Sequence, residues 1–228
     1  MMRHVSIHTS KRLLHLPADH AIVAEMKDPA PLSETVTMTR RLSQAQAEKR
    51  AEARRVASEI ASESGYDAVT MTAVADRIGV SRATIYRYFA SKDHLLAEIM
   101  AEWTQRINDN LRRNPPAGTT RAERVGKAFE RIVQMAARNR GLTSAILFAA
   151  TSSDPAAREA FPSWSGPVEI YLKTLLGNEK VPNLEEIIPV LSHVLFSALI
   201  AMAHRGREPR EAANVLKTTA RLLLGSAP

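Results

Sequence analysis

Residues 69–89 read VTMTAVADRIGVSRATIYRYF, and ASKDHLL follows at once. Ser81, Arg82, Thr84, Tyr86, Arg87 and Tyr88 gather hydroxyls, guanidinium groups and phenols into one short segment, with Lys92 just beyond. Such groups donate hydrogen bonds to phosphate oxygens and to base edges. The chain has no His-Glu-x-x-His pair, no Gly-rich phosphate loop and no Gly-x-Ser-x-Gly elbow. Its adjacent charges Asp76–Arg77 and Glu185–Glu186 fall on helix surfaces and form no carboxylate dyad with a reason to be buried. With no cysteine, thiol catalysis, thiolate metal sites and disulfides are excluded. Binding is therefore expected rather than catalysis, with no metal and no cofactor.

The elements that must position these groups form a helix-turn-helix. Thr70 is placed to cap a short helix over 71–78, with Val74, Ala75 and Ile78 facing inward. Ala75 is small enough for a second helix to cross close by. Gly79 supplies the positive φ of the turn, and Val80 plugs it from inside. Ser81 caps the second helix, 82–89, which Ile85 and Phe89 anchor to the core. Ser81, Arg82, Thr84, Tyr86, Arg87 and Tyr88 are left on the outer face. Tyr86 and Tyr88 also read as packing residues with wet tips, Arg87 as a solvated charge, and Thr70 and Thr72 as cap and surface residues.

Helical periodicity continues on both sides. Ser43 caps a long amphipathic helix ending at Gly65, with Ala53, Val56, Ala57 and Ile60 inward and Arg50, Arg54 and Arg55 on wet faces. Ser91 caps a helix to about Arg113, and Pro115, Pro116 and Gly118 make a loop. Helices are expected over 121–139, 142–150, 184–204 and 208–224. The stretch 156–176 contains Pro162, Gly166 and Pro167, so it is either broken or begins near Pro167. The fold class is all-α with about nine helices. Residues 1–39 hold Pro17, Pro29 and Pro31 without a sustained period and read as a disordered or loosely helical extension; Met38 would be a natural start of the folded part. The expected organisation is a helix-turn-helix DNA-binding domain over 40–90 and a second helical domain over 91–228, with the helix 91–113 joining them; the family that the motif resembles implies ligand binding and dimerisation for the second.

Net charge is +7 in 228 residues, a balance suited to nucleic acid. Its distribution does not locate the binding end. Residues 38–100 hold ten Lys and Arg against eight acids, whereas 101–228 hold seventeen against twelve. No apolar run is expected to reach membrane-spanning length, because Ser192, His193 and Ser197 interrupt the longest. No apolar leader is evident, and the expected location is the cytoplasm, with no membrane partner.

The segment from the long first helix through TIYRYFASKDHLL, roughly 43–100, resembles the TetR family of regulators. A tyrosine-containing helix end, then Phe, then Ser-Lys-Asp-x-Leu-Leu, is specific to that family among helix-turn-helix proteins. The resemblance implies base-edge or near-groove contacts by Arg82 and Arg87, and a phosphate held near Ser81 and Thr84. It implies DNA-backbone contacts by Tyr86, Tyr88, Lys92 and Thr70. Family members often carry Arg where this chain has Thr72, whose uncharged hydroxyl reaches less far. The resemblance further implies a homodimer through Leu184–His204 and 208–224, a palindromic double-stranded operator, and a small-molecule effector among the middle helices. By position the effector candidates are Phe129, Met135, Leu147, Phe148, Trp164, Tyr171, His193, Phe196 and Met202, each of which also reads as ordinary core. The stretch ARNRGLTSAILFAATSSDPAA and the ending LSHVLFSALIAMAHRG with LLLG are similar to sterol- and lipid-catabolism repressors of actinobacteria, which respond to acyl-CoA-type metabolites. The competing classes are a helical enzyme, and a protein-interaction module or activator without ligand-controlled repression.

Overall fold

The computed structural model describes residues 43–163, 165–176 and 180–225. The expected extension 1–39 and Trp164 lie outside these residues. The described chain is helical: α1 (Gln44–Ala68), α2 (Met71–Arg77), α3 (Arg82–Tyr88), α4 (Lys92–Arg113), α5 (Arg121–Ala137), α6 (Arg140–Ala149), α7 (Pro155–Ala160), α8 (Ser165–Leu176), α9 (Leu184–His204) and α10 (Pro209–Leu224).

Hydroxyl caps set most starts. Ser43, Thr70, Ser81, Ser91 and Thr120 each accept a hydrogen bond from the backbone N–H three residues on, satisfying a donor that the helix itself leaves unpaired. Gln46 returns the bond to Ser43, completing a capping box. α1 runs past the expected stop at Gly65: that residue takes φ 79° and kinks the helix, which resumes to Ala68. One helix more than expected is found, because 156–176 divides. Asp154 caps α7, Pro155 sits in its first turn, and Pro162 lies in the gap before α8.

α1 contributes Ala53, Val56, Ala57, Ile60 and Ala61 to the core, with Leu95, Leu96, Ile99 and Met100 of α4 and Phe89. α6 lies against α1 at very short range. A Cβ at Gly141 would stand 2.7 Å from the Ala61 carbonyl oxygen and 2.8 Å from that of Ser62. Asn139, which caps α6, also donates to Ser62 Oγ at 2.6 Å. Two expectations are corrected here. Arg50 and Arg54 are not on wet faces but largely covered, and paired with Glu98 of α4. The run ending in His204 is not interrupted: α9 is a continuous 21-residue helix, long and apolar enough by composition to cross a membrane. Ser192 turns its hydroxyl back to the Ile188 carbonyl, so it does not break the apolar face. The inner face of α9, with Ile188, Leu191, Leu195, Leu199 and Met202, is buried in the protein core.

The α1–α6 approach yields a direct test. Gly141→Ala places a methyl against backbone oxygens that cannot rotate away, and is expected to cost about 1–3 kcal/mol through overpacking. Urea unfolding of the variant and the wild type measures it.

Candidate DNA interface and sensing cavity

The reading motif is built from within. Val74, Ala75, Ile78, Ile85 and Phe89 are buried, and Val80 packs against them. Gly79 has φ +67°, and Val80 N–H donates to the Ala75 carbonyl at 3.0 Å, closing the turn. Lys49 of α1 donates to the Ile78 carbonyl at 3.0 Å, a cation on the orphan oxygens at the end of α2.

The outer face of α3 carries Ser81, Arg82, Tyr86 and Arg87, all exposed, with Thr84 partly so. The Arg82 guanidinium lies 5.7 Å from the Tyr86 ring centre, and that ring is 43% exposed. Ser81 and Thr84 hydroxyls lie 2.9 Å apart at the start of α3. Thr70 and Thr72 are exposed at the start of α2. Tyr88 departs from the expectation. It is buried, because it follows Ile85 by three residues and shares the inner face, with the Arg87 guanidinium 5.7 Å from its ring. Lys92 is also not free in solvent: its ammonium sits 3.7 Å from the Tyr66 ring centre.

Behind the motif, α4 meets α1 through charge. Glu98 accepts hydrogen bonds from Arg50 and, at 3.1 Å, from Arg54; Arg54 also lies 2.5 Å from Glu102. His94 Nδ1 accepts from the Ala90 N–H at 3.1 Å, and its Nε2 lies 3.1 Å from a Glu98 carboxylate oxygen. The partners of Glu98 on α1 are 44 and 48 residues away in sequence, so no local pattern announces them.

In the other half, a small, partly enclosed cavity lies between α4, α5, α8 and α9. Met100, Thr104, Ile132, Tyr171, Ser192 and Leu199 line it, and its volume is about 20 Å³. That is room for one water. Burial pushes the Tyr171 phenol up from its ordinary range, so it stays neutral. Of the residues expected around an effector, Tyr171 is the one this cavity exposes. Phe129, Leu147 and Met202 are buried core, while Met135 and Phe196 are half-buried against it. His193 is exposed and its Nδ1 lies 2.7 Å from the Pro189 carbonyl oxygen. Phe148 is 53% exposed and stacks on Tyr66, away from the cavity. Sequence reasoning gave no binding role to Thr104, Ser192, Tyr66 or Asp93: Tyr66 and Asp93 pair across elements, while Thr104 and Ser192 line the cavity and return their hydroxyls to the Ala101 and Ile188 carbonyls of their own helices. On the outside of α9 and α10, Val190, Val215 and Leu222 are exposed.

Among the described residues, no group of three or more His, Cys, Asp or Glu is arranged to hold a metal. Comparison with known proteins finds two matching family models. "Bacterial regulatory proteins, tetR family" covers residues 54–99, and "Tetracyclin repressor-like, C-terminal domain" covers 118–223. The chain is 33% identical over 184 residues to the HTH-type transcriptional repressor KstR of Rhodococcus jostii, covering 80% of this chain and 86% of that protein. It is 32% identical to the KstR of Mycobacterium tuberculosis, covering 80% and 84%. Its fold is similar to a TetR transcriptional regulator from Rhodococcus sp. RHA1, with TM-score 0.70, 21% identity, and 79% and 98% of the two chains covered. It is also similar to the repressor FadR of Thermus thermophilus in complex with lauroyl-CoA, with TM-score 0.60, 25% identity, and 77% and 93% covered.

The charge cluster generates its own test. Glu98→Ala leaves Arg50 and Arg54 largely covered with their principal acceptor gone. Allowing for partial solvation, unfolding free energy is expected to fall by about 1–3 kcal/mol. Denaturation monitored by circular dichroism reads the change; a loss no greater than that of an exposed Glu59→Ala control would refute the role.

Proposed function

The chain belongs to the TetR family of bacterial regulatory proteins, and from that premise we propose that it is a dimeric transcriptional repressor, released from a palindromic operator by an apolar effector. The carrying observation is the face of α3: Ser81, Arg82, Tyr86 and Arg87 project outward while Ile85, Tyr88 and Phe89 fix the helix from behind. Arg82 and Arg87 read base edges, and Ser81, Thr84, Tyr86 and Lys92 grip phosphates, with Thr70 and Thr72 on the flank. Tyr88 serves by packing. Operator binding puts the protein with the chromosome, in the cytoplasm.

Dimerisation uses the outer face of α9 and α10. Val190, Val215 and Leu222 support this, since large apolar side chains left outside on two adjacent helices are what a two-fold bundle buries. The effector enters between α4, α5, α8 and α9, where apolar walls and the Thr104, Tyr171 and Ser192 hydroxyls suit a long apolar molecule with a polar end. A long-chain acyl-CoA is the class we favour, supported by the lauroyl-CoA held by the FadR relative. The about 20 Å³ cavity is far too small for it, so uptake must part the helices and shift α4.

Three measurements test this reading. Arg82→Ala is expected to relax sequence preference by about 1–3 kcal/mol at one base position, whereas Lys92→Ala weakens all sequences alike and lowers the salt slope by about one unit. Titration on an operator selected from random DNA, and on scrambled DNA, separates the two; salt-independent binding without preference would refute the proposal. Val215→Glu is expected to give a folded monomer by light scattering. In the wild type, saturating lauroyl-CoA should weaken operator affinity about 5–150-fold.

A further inference from the structure

We propose that Tyr66 is a positioning residue for Lys92, and that α6 of the sensing half sets Tyr66 through Phe148 and Ser152. The proposal rests on the reading above that Lys92 grips a DNA phosphate. Lys92 and Asp93 are the first two residues of α4, which begins after a three-residue connection from the reading helix α3. The Lys92 ammonium lies 3.7 Å from the centre of the Tyr66 ring. Tyr66 O–H donates to Asp93 Oδ1 at 2.6 Å, and Ser152 O–H donates to Asp93 Oδ2 at 2.6 Å. On the sensing side the Phe148 ring lies 4.4 Å from the Tyr66 ring at 40°. One carboxylate and one aromatic ring thus tie the reading end of α4 to the end of α6 and the turn after it.

Each part has a physical reason. A lysine stem in water samples many rotamers, and an aromatic face holds the cation in one region while leaving N–H groups for a phosphate. Tyr66 follows the Gly65 kink, where α1 leaves its helical path. Burial and the Asp93 hydrogen bond push the Tyr66 phenol up, so it remains a donor throughout the physiological range. Phe148 is half-exposed, so core burial does not explain its place; the Tyr66 ring does. Asn139 and Gly141 seat α6 on α1 at fixed distance, so a shift of α6 moves this platform with it.

The test uses the full chain and a non-operator duplex, with binding read by fluorescence anisotropy over a salt series. Lys92→Ala should lower the slope by about 0.9, one phosphate contact. If it does not, the phosphate reading itself fails and the proposal with it. Given that result, Tyr66→Leu should weaken binding about 2–5-fold in the wild-type background and not at all in the Lys92→Ala background. Tyr66→Phe should lose less than Tyr66→Leu, because it keeps the ring and gives up only the Asp93 hydrogen bond through which Ser152 acts. Phe148→Ala should weaken binding in the same direction, with no added loss when combined with Tyr66→Leu. An equal loss from Tyr66→Leu with and without Lys92, or no loss at all, overturns the positioning role. Should Tyr66→Leu not fold, the wild type still decides by NMR: the Lys92 ε-methylene protons must resonate upfield from the ring current and move back in Phe148→Ala. Unshifted protons in the wild type overturn the proposal.

Discussion

One helix belongs to both halves of this molecule. The first turns of α4 place Leu95 and Leu96 in the core of the reading domain, and its later turns place Met100 and Thr104 on the sensing cavity. Close packing makes such a shared element stiff, since neither core can change volume without displacing it. The Glu98 cluster reinforces the arrangement by fixing α4 to α1 through Arg50 and Arg54. α6 closes the same frame from the other side, against the backbone of α1. A signal from the cavity therefore meets a rigid set of three helices rather than a loose hinge.

What could be read in the sequence was local. Ser and Thr caps, Gly79 in the turn, and the inward Val74, Ala75, Ile78, Ile85 and Phe89 follow from periodicity and backbone rules, and they define the motif. Tyr88 escaped because α3 is only seven residues long. On so short a helix the rotation that buries Ile85 and Phe89 also buries Tyr88, three residues after Ile85, and of the two readings open for it, groove contact or packing with a wet tip, the fold favours packing. Phe148 failed in the opposite sense: its type suggested an interior, but its partner is Tyr66, on another helix. Arg50 and Arg54 have the same origin, since Glu98 is distant in sequence. Distant pairings leave no periodic trace in one chain. Proline, which acts on its own backbone, left 156–176 either broken or beginning near Pro167, and the chain takes the first course, dividing into α7 and α8.

The charge distribution finds its explanation in the same way. The more basic part of the chain is not the reading motif, and several of its cations are already engaged. Arg113 donates to the Asp109 carbonyl, Lys127 to that of Ala117, Arg131 to that of Asn114, and Arg121 to those of Leu224 and Lys180. These carbonyls lie at helix ends and in connecting loops, where helices leave oxygens unpaired. Part of the positive surplus of the sensing half thus secures its connections, so net charge marks neither an operator nor an anionic effector.

On the proposed effector site, the small size of the cavity makes the switch a matter of populations. If the protein alone rests with α4, α5, α8 and α9 packed around about 20 Å³, an effector that needs more room binds a minor, opened state. On the proposed reading, opening draws apart the walls that Met100 and Thr104 of α4 and Tyr171 of α8 give to the cavity. The apparent affinity for the effector is then reduced by the small population of the open state, and operator DNA, by favouring the closed frame, reduces it further. The same argument assigns different jobs to the residues that line the cavity. A substitution that trims Leu199 or Ile132 lowers the cost of opening and acts on the resting equilibrium, even where it touches no effector. A substitution at the Tyr171 hydroxyl changes how the open state receives a polar group. On that proposal, affinity and responsiveness are set by separate atoms of one cavity wall.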